Sequence, residues 1–130
     1  MQLSEIITGI QHIGIPTNDI EATISFYKAL GFRCIYRTVN EASGEAVCFL
    51  QLKNLCMEVY QNGAAVLRAG AVDHIAIDVS DIDAAYQAVS GLGCTFWEPG
   101  ISFLPFWENG IRYFIILGPN REKIEFCQIL

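Results

Sequence analysis

Residues 10–32 read IQHIGIPTNDIEATISFYKALGF and residues 72–94 read VDHIAIDVSDIDAAYQAVSGLGC, and the two stretches align without a gap at an offset of 62. His12/His74, Ile13/Ile75, Ile15/Ile77, Asp19/Asp81, Ile20/Ile82, Ala22/Ala84, Leu30/Leu92 and Gly31/Gly93 are identical pairs. The chain has 2 histidines, and both fall in register. A repeat of this length indicates two structural copies that present equivalent side chains.

Working outward from the repeat, each copy opens with an Ile- and Val-rich strand, at 9–16 and 72–79, and then meets a helix start. Asn18-Asp19-Ile20-Glu21 and Ser80-Asp81-Ile82-Asp83 each set a capping residue three positions ahead of an acidic one, which satisfies free amides of a first turn. Ile20, Ile24, Tyr27 and Leu30 recur at helical spacing, as do Ile82, Tyr86 and Val89, so helices with one apolar face are expected at about 20–30 and 82–91. Gly31 and Gly93 supply the stops. Strand patterns follow at about 32–39, 45–53 and 55–61, and again at about 94–98, 111–117 and 122–129. The order is βαβββ twice, with modules at about 8–62 and 71–130 and a connector at 62–71. An insertion at 99–110 carries Phe103, Phe106 and Trp107, and reads equally as a substrate lid or a dimer contact.

At 130 residues the chain is expected to form a single domain over 1–130, because a repeat unit of about 60 residues is marginal alone. Hydrophobic residues make up 52% and charged ones 17%, which places it at the apolar end of globular composition and leaves room for a subunit interface. The net charge of −6, with 8 scattered Lys and Arg, excludes a nucleic-acid surface. No apolar run approaches the ~18 residues of a membrane span, and no leader pattern opens the chain. The 5 cysteines are widely spaced without a C-x-x-C, as in a reduced, cytoplasmic protein.

Strand alternation then selects a polar set. Ile13 and Ile15 share one face, leaving His12 and Gly14 on the other; Ile75 and Ile77 likewise oppose His74 and Ala76. In the last strands Met57 and Val59 oppose Glu58 and Tyr60, while Ile124 and Phe126 oppose Glu125. Each copy thus offers one His and one Glu on the face away from its helix. An unpaired carboxylate in an apolar strand is costly, and two in equivalent places call for a cation. Two imidazoles and two carboxylates, His12, Glu58, His74 and Glu125, suit one divalent ion, with Ni, Co, Zn, Mn and Fe as candidates. A lone His or Glu in such a strand would read as structural. Tyr60, Asp78 and Cys127 share the same faces.

At these residues the sequence resembles the vicinal oxygen chelate superfamily, the glyoxalase/bleomycin-resistance/extradiol-dioxygenase group. The resemblance covers essentially the whole chain. It rests on H-I-G-I-x-x-x-D-I-x-x-x-x-x-F-Y over His12–Tyr27, on D-H-I-A-I over Asp73–Ile77 and on G-P-N-R-E-K-I-E-F over Gly118–Phe126. It implies an α+β fold in which two βαβββ modules form a cup-shaped, mixed eight-stranded sheet around one metal, often as a homodimer acting on a small molecule.

The full His/Glu/His/Glu set is most similar to glyoxalase I, the lactoylglutathione lyase; methylmalonyl-CoA epimerase resembles it nearly as well, and metal-free members of the group are drug-binding proteins. Both enzymes share one step. A base removes a proton beside a carbonyl, and the metal holds the resulting enediolate or enolate. The resemblance makes Glu125 both ligand and base, with Glu58 its counterpart, and matches Asn62 to an asparagine of the glyoxalase pattern. Pro16 stands where glyoxalase I carries an arginine for the glutathione carboxylate, so an acyl-CoA or another small substrate stays open. Tyr60, Asn62, Phe103, Phe106 and Trp107 are the substrate-binding candidates, with a structural Tyr60 and a plain apolar interface for the aromatics as the alternatives.

Overall fold

A computed structural model describes residues 1–130, and in it the repeat becomes two compact units, Met1–Ala64 and Ala65–Leu130, built to one recipe. The first holds a short helix α1 (Leu3–Ile6), then β1 (Ile13–Thr17), α2 (Ile20–Ala29), β2 (Arg33–Val39), β3 (Ala46–Leu52) and β4 (Leu55–Gln61). The second holds β5 (His74–Asp78), α3 (Ile82–Gly91), β6 (Thr95–Phe96), β7 (Ser102–Leu104), β8 (Ile111–Leu117) and β9 (Lys123–Ile129). No helix is long and apolar enough to cross a membrane.

The helices begin at Ile20 and Ile82, where the apolar periodicity places them, but the capping residue differs. Asp19 and Asp81, not Asn18 and Ser80, are the caps, and their carboxylates accept from the backbone N–H of Ala22 (3.1 Å) and Ala84 (2.9 Å). A carboxylate satisfies the free amides and also complements the positive end of the helix. A second anchor comes from the end of the sheet: Gln61 Oε1 accepts from the Ile20 N–H and Gln128 Oε1 from the Ile82 N–H, both at 2.9 Å. The last strand of each unit thus fixes where its helix starts. Both helices end as expected at Gly31 (φ 107°) and Gly93 (φ 73°), a backbone conformation open to glycine.

Sheet order is β1-β4-β3-β2 in the first unit and β5-β9-β8-β6 in the second, with β7 paired to β8. In each, the first strand runs parallel to the last, which requires the helix as crossover, and the other pairings are antiparallel. The α+β class and the twofold βαβββ order follow the sequence reading. Two details differ. The insertion folds back as β7, a ninth strand whose Ser102–Leu104 pair with Tyr113–Ile111, and His12 lies just ahead of β1 rather than within it.

One face of each sheet carries the helix. In the first unit Ile15, Ile24, Tyr27, Leu50, Met57 and Val59 are buried together, with Thr17 and Thr23 hydroxyls sharing a 2.9 Å hydrogen bond among them. In the second, Ile82, Val89, Phe114, Ile116, Ile124 and Phe126 form the core, and Tyr86 packs its ring against Phe96 and Phe114 at 4.9 and 5.2 Å. Removal of a fully buried Ile or Met side chain from such a core costs about 2–5 kcal/mol. The other face of each sheet keeps its polar residues.

Candidate functional site

Parallel pairing of the first and last strands decides which polar side chains meet. In β1/β4 the register sets Gly14 beside Glu58 and Pro16 beside Tyr60; in β5/β9 it sets Ala76 beside Glu125 and Asp78 beside Cys127. Because Cβ direction alternates, Glu58 and Glu125 leave the helix-covered face on which Met57, Val59, Ile124 and Phe126 are buried. The histidine preceding or opening the neighbouring strand then reaches the carboxylate. His12 Nε2 lies 3.7 Å from Glu58 Oε1, and His74 Nε2 lies 3.7 Å from Glu125 Oε1. The structure thus brings together His12 with Glu58 in one unit and His74 with Glu125 in the other.

Each imidazole is held from behind by the residue before it. His12 Nδ1 bonds Gln11 Oε1, and His74 Nδ1 bonds Asp73 Oδ2 at 2.9 Å. An amide or carboxylate oxygen can only accept, so Nδ1 donates and Nε2 is the ring nitrogen left facing the carboxylate. This is the arrangement in which a second group fixes the tautomer of a ligating histidine. Sequence reasoning passed over Gln11 and Asp73, although both sit one position ahead of a repeated His.

The supports differ in charge. Lys123 Nζ donates to Asp73 Oδ1 at 3.3 Å and lies 4.2 Å over the Trp97 ring. Hydrogen bonds from His74 and then from Lys123 hold the Asp73 carboxyl below its ordinary range. Around Glu125, the Cys127 thiol is pushed up, first by burial and then by the Glu125 and Asp78 carboxylates, so it stays protonated. Glu125 is the more enclosed carboxylate, its side chain 15% exposed against 31% for Glu58.

The remaining predicted residues fall into three places. Tyr60 lies on the Glu58 face, half-buried, with its ring over Gly14, where an added Cβ would lie 3.5 Å from Tyr60 Cε1. Phe49 is the cross-strand neighbour of Glu58 and sets its ring edge-on to His12 at 5.5 Å. Asn62 is exposed beyond β4, its side-chain oxygen accepting from the Ala64 N–H at 2.9 Å. Phe103, Phe106 and Trp107 are exposed along the β7 hairpin.

Within each unit the donors number two, one imidazole nitrogen and one carboxylate oxygen, and neither unit gathers three or more His, Cys, Asp or Glu side chains as a metal cluster. The donor chemistry nonetheless fits a divalent ion of the Zn, Ni or Mn kind. A separation of 3.7 Å exceeds a hydrogen bond and stays below the ~4.2 Å that two ligands each ~2.1 Å from one ion can span.

The family model described as Glyoxalase/Bleomycin resistance protein/Dioxygenase superfamily matches residues 9–126. The uncharacterized protein YwbC of Bacillus subtilis (strain 168) is 36% identical over 124 residues, covering 92% of this chain and 96% of its own. Among solved structures, the glyoxalase family protein from Enterococcus faecalis is similar with a TM-score of 0.77 at 20% identity, over 92% of this chain and 97% of that one. The fosfomycin resistance protein FosX from Listeria monocytogenes, complexed with Mn(II) and sulfate ion, is similar with a TM-score of 0.74 at 17% identity, over 96% and 95%. At such identities these structures bear on the fold alone.

Proposed function

The chain belongs to the Glyoxalase/Bleomycin resistance protein/Dioxygenase superfamily, and from that premise we propose that it is a metal-dependent lyase or isomerase of the glyoxalase I type, which removes a proton from carbon beside a carbonyl. The observation that carries this reading is the repeated pair: an imidazole whose Nε2 is freed by a bond at Nδ1, set 3.7 Å from a glutamate, twice in one chain. A single such pair would serve as an ordinary polar contact. Two at the same repeat position are what a ligand set of His12, Glu58, His74 and Glu125 requires.

When bound, a divalent ion supplies a Lewis acid for the negative charge that grows on substrate oxygen once the proton leaves. Glu125 takes that proton. It is the more enclosed of the two carboxylates, its side chain 15% exposed, so a substrate proton delivered there is shielded from bulk water. Glu58, more exposed, returns or accepts a proton on its own side, and Gln11 and Asp73 hold the rings of His12 and His74 so that their Nε2 atoms would face the ion. Tyr60 offers a hydroxyl on the Glu58 face for substrate oxygen, and Phe103, Phe106 and Trp107 offer apolar surface for its remainder.

Elemental analysis of protein purified without added metal or chelator tests the reading. One Ni, Co, Zn, Mn or Fe per chain, lost in the His12→Ala, Glu58→Ala double variant, supports it. No metal after incubation with each ion overturns it and leaves a binding protein of the same fold. Pro16, at the position of glyoxalase I's glutathione-binding arginine, favours a second substrate reading within the same chemistry, an acyl-CoA epimerised at the carbon beside its thioester. Turnover of an acyl-CoA with none of a thiohemiacetal decides for it. In either case the assembly we propose is a homodimer, which sedimentation at micromolar concentration checks.

A further inference from the structure

Two thiols of the first unit meet away from the His12 and Glu58 face. Cys34 on β2 and Cys48 on β3 place their sulfurs 2.7 Å apart. That is too close for two thiols that merely pack, and longer than the ~2.05 Å of a sulfur–sulfur bond. The register puts Cys34 opposite Leu50, so Cys48, two residues from Leu50 on the same face, is its diagonal neighbour; Tyr36 pairs with Phe49, which makes Ile35 the extra residue of a bulge beside this contact. Both sulfurs lie on the side of the sheet that α2 covers, since Leu50 there is fully buried and Arg37 bonds Glu21 of α2.

The two thiols are unequally placed. Cys34 is half-exposed, whereas Cys48 is fully buried. Burial first, and then the hydrogen bond and charge of Cys34, push the Cys48 thiol up to about 12, so that Cys48 stays protonated while Cys34 keeps part of its surface open to solvent. Cys56 lies on β4 with Glu58 and Tyr60, on the opposite face, and Cys94 and Cys127 belong to the second unit.

We propose that Cys34 and Cys48 are a peroxide-reactive dithiol that closes to an intrachain disulfide, a modification site separate from the His and Glu pairs. Cys34 thiolate attacks one oxygen of hydrogen peroxide or an organic hydroperoxide, the O–O bond breaks, and the leaving hydroxide or alkoxide takes a proton to leave as water or alcohol. The Cys48 sulfur then attacks the Cys34 sulfenic sulfur; the S–O bond breaks and the Cys48 proton leaves with the hydroxide as water. Two thiols and one H2O2 give one disulfide and two waters: the sulfurs lose two electrons and the peroxide gains them. The bond ties the edge strand β2 to β3 behind Phe49, whose ring packs on His12.

The test starts from the full chain, reduced and then exposed to hydrogen peroxide, quenched, alkylated with N-ethylmaleimide in denaturant and digested with trypsin without reductant. Peptide 34–37 (CIYR) is expected joined to peptide 38–53, lighter by two hydrogens than the two together and separated by dithiothreitol, with three of the 5 cysteines alkylated in the intact chain. Cys34→Ser and Cys48→Ala, the latter keeping a small apolar side chain in the buried slot, each abolish the joined peptide, while Cys127→Ser leaves it. Five alkyl groups, an irreversibly oxidised Cys34 with Cys48 alkylated, or a link to any other cysteine or between chains overturns the proposal.

Discussion

The two units share a skeleton and differ in what surrounds it. In both, an aspartate caps the helix, a glutamine from the last strand accepts from the first helical amide, and a His and a Glu stand 3.7 Å apart. Around that skeleton, the neutral Gln11 supports His12 whereas the charged Asp73, itself held by Lys123, supports His74. Glycine and tyrosine flank Glu58 where alanine and cysteine flank Glu125. The edge strand is seven residues in the first unit and two in the second. The two copies therefore share what places the site and differ in the charge of its supports and in enclosure.

The comparison breaks most visibly at the two carboxylates. Glu125→Gln is expected to lower kcat by ~10²–10⁴ with the circular dichroism spectrum unchanged, and Glu58→Gln by less, because the more enclosed carboxylate is the base. Equal losses would make the pairs catalytically interchangeable. Next come Ile20→Ala and Ile82→Ala, equivalent helix positions that are 4% and 0% exposed. Each should destabilise by about 2–5 kcal/mol in chemical denaturation, and a single shared transition in both variants would show that the units unfold together.

A smaller effect sharpens the contrast between the histidines. Asp73→Asn should weaken metal binding by ~10–100-fold in calorimetric titration, and Gln11→Ala by less, because a carboxylate raises ligand basicity more than an amide does. In the metal-free protein, the nitrogen-15 shifts of His74 should move from a single Nδ1–H tautomer toward a mixture in Asp73→Ala; unchanged shifts would remove Asp73 as a positioning residue. Least of all is the acid limb of stability. Arg37 and Arg112 hold the Glu21 and Asp83 carboxyls below their ordinary ranges, mainly by hydrogen bonds. The folded pKa is the lower one, so this contribution is present above the unfolded carboxylate range and is lost as pH falls through the folded values. Arg37→Gln and Arg112→Gln should flatten stability against pH there by similar, small amounts, as expected of exposed pairs.

The element order, the helix bounds and the burial of Met57, Val59, Ile124 and Phe126 opposite the glutamates were legible from periodicity, because alternation and helical spacing follow directly from which face meets the core. So was the shared face of one His and one Glu in each copy; that they are close neighbours follows from the parallel pairing of first and last strands, which periodicity does not reveal. Features set by side-chain reach escaped that reading. The caps moved from Asn18 and Ser80 to Asp19 and Asp81 because the carboxylate reaches the amide of Ala22 or Ala84 from one residue nearer. Gln61 and Gln128 are 41 and 46 residues from the amides they satisfy, so no local pattern marks them. The Cys34 and Cys48 contact rests on the register of β2 against β3, which no local pattern marks, and the hairpin inside 99–110 is short and lacks alternation of its own.

That bulge has a bearing on how the molecule behaves in a crowd. β2 is an edge strand with Ile35, Tyr36 and Val39 exposed, a row of open amides and carbonyls with apolar side chains beside them. A regular strand of that composition would be a template for stacking against other chains. The extra residue at Ile35 interrupts the repeat of donors and acceptors and increases the local twist, so an incoming strand finds no more than a few bonds in register before it must part. The irregularity next to Cys34 thus protects this edge against growth of an intermolecular sheet.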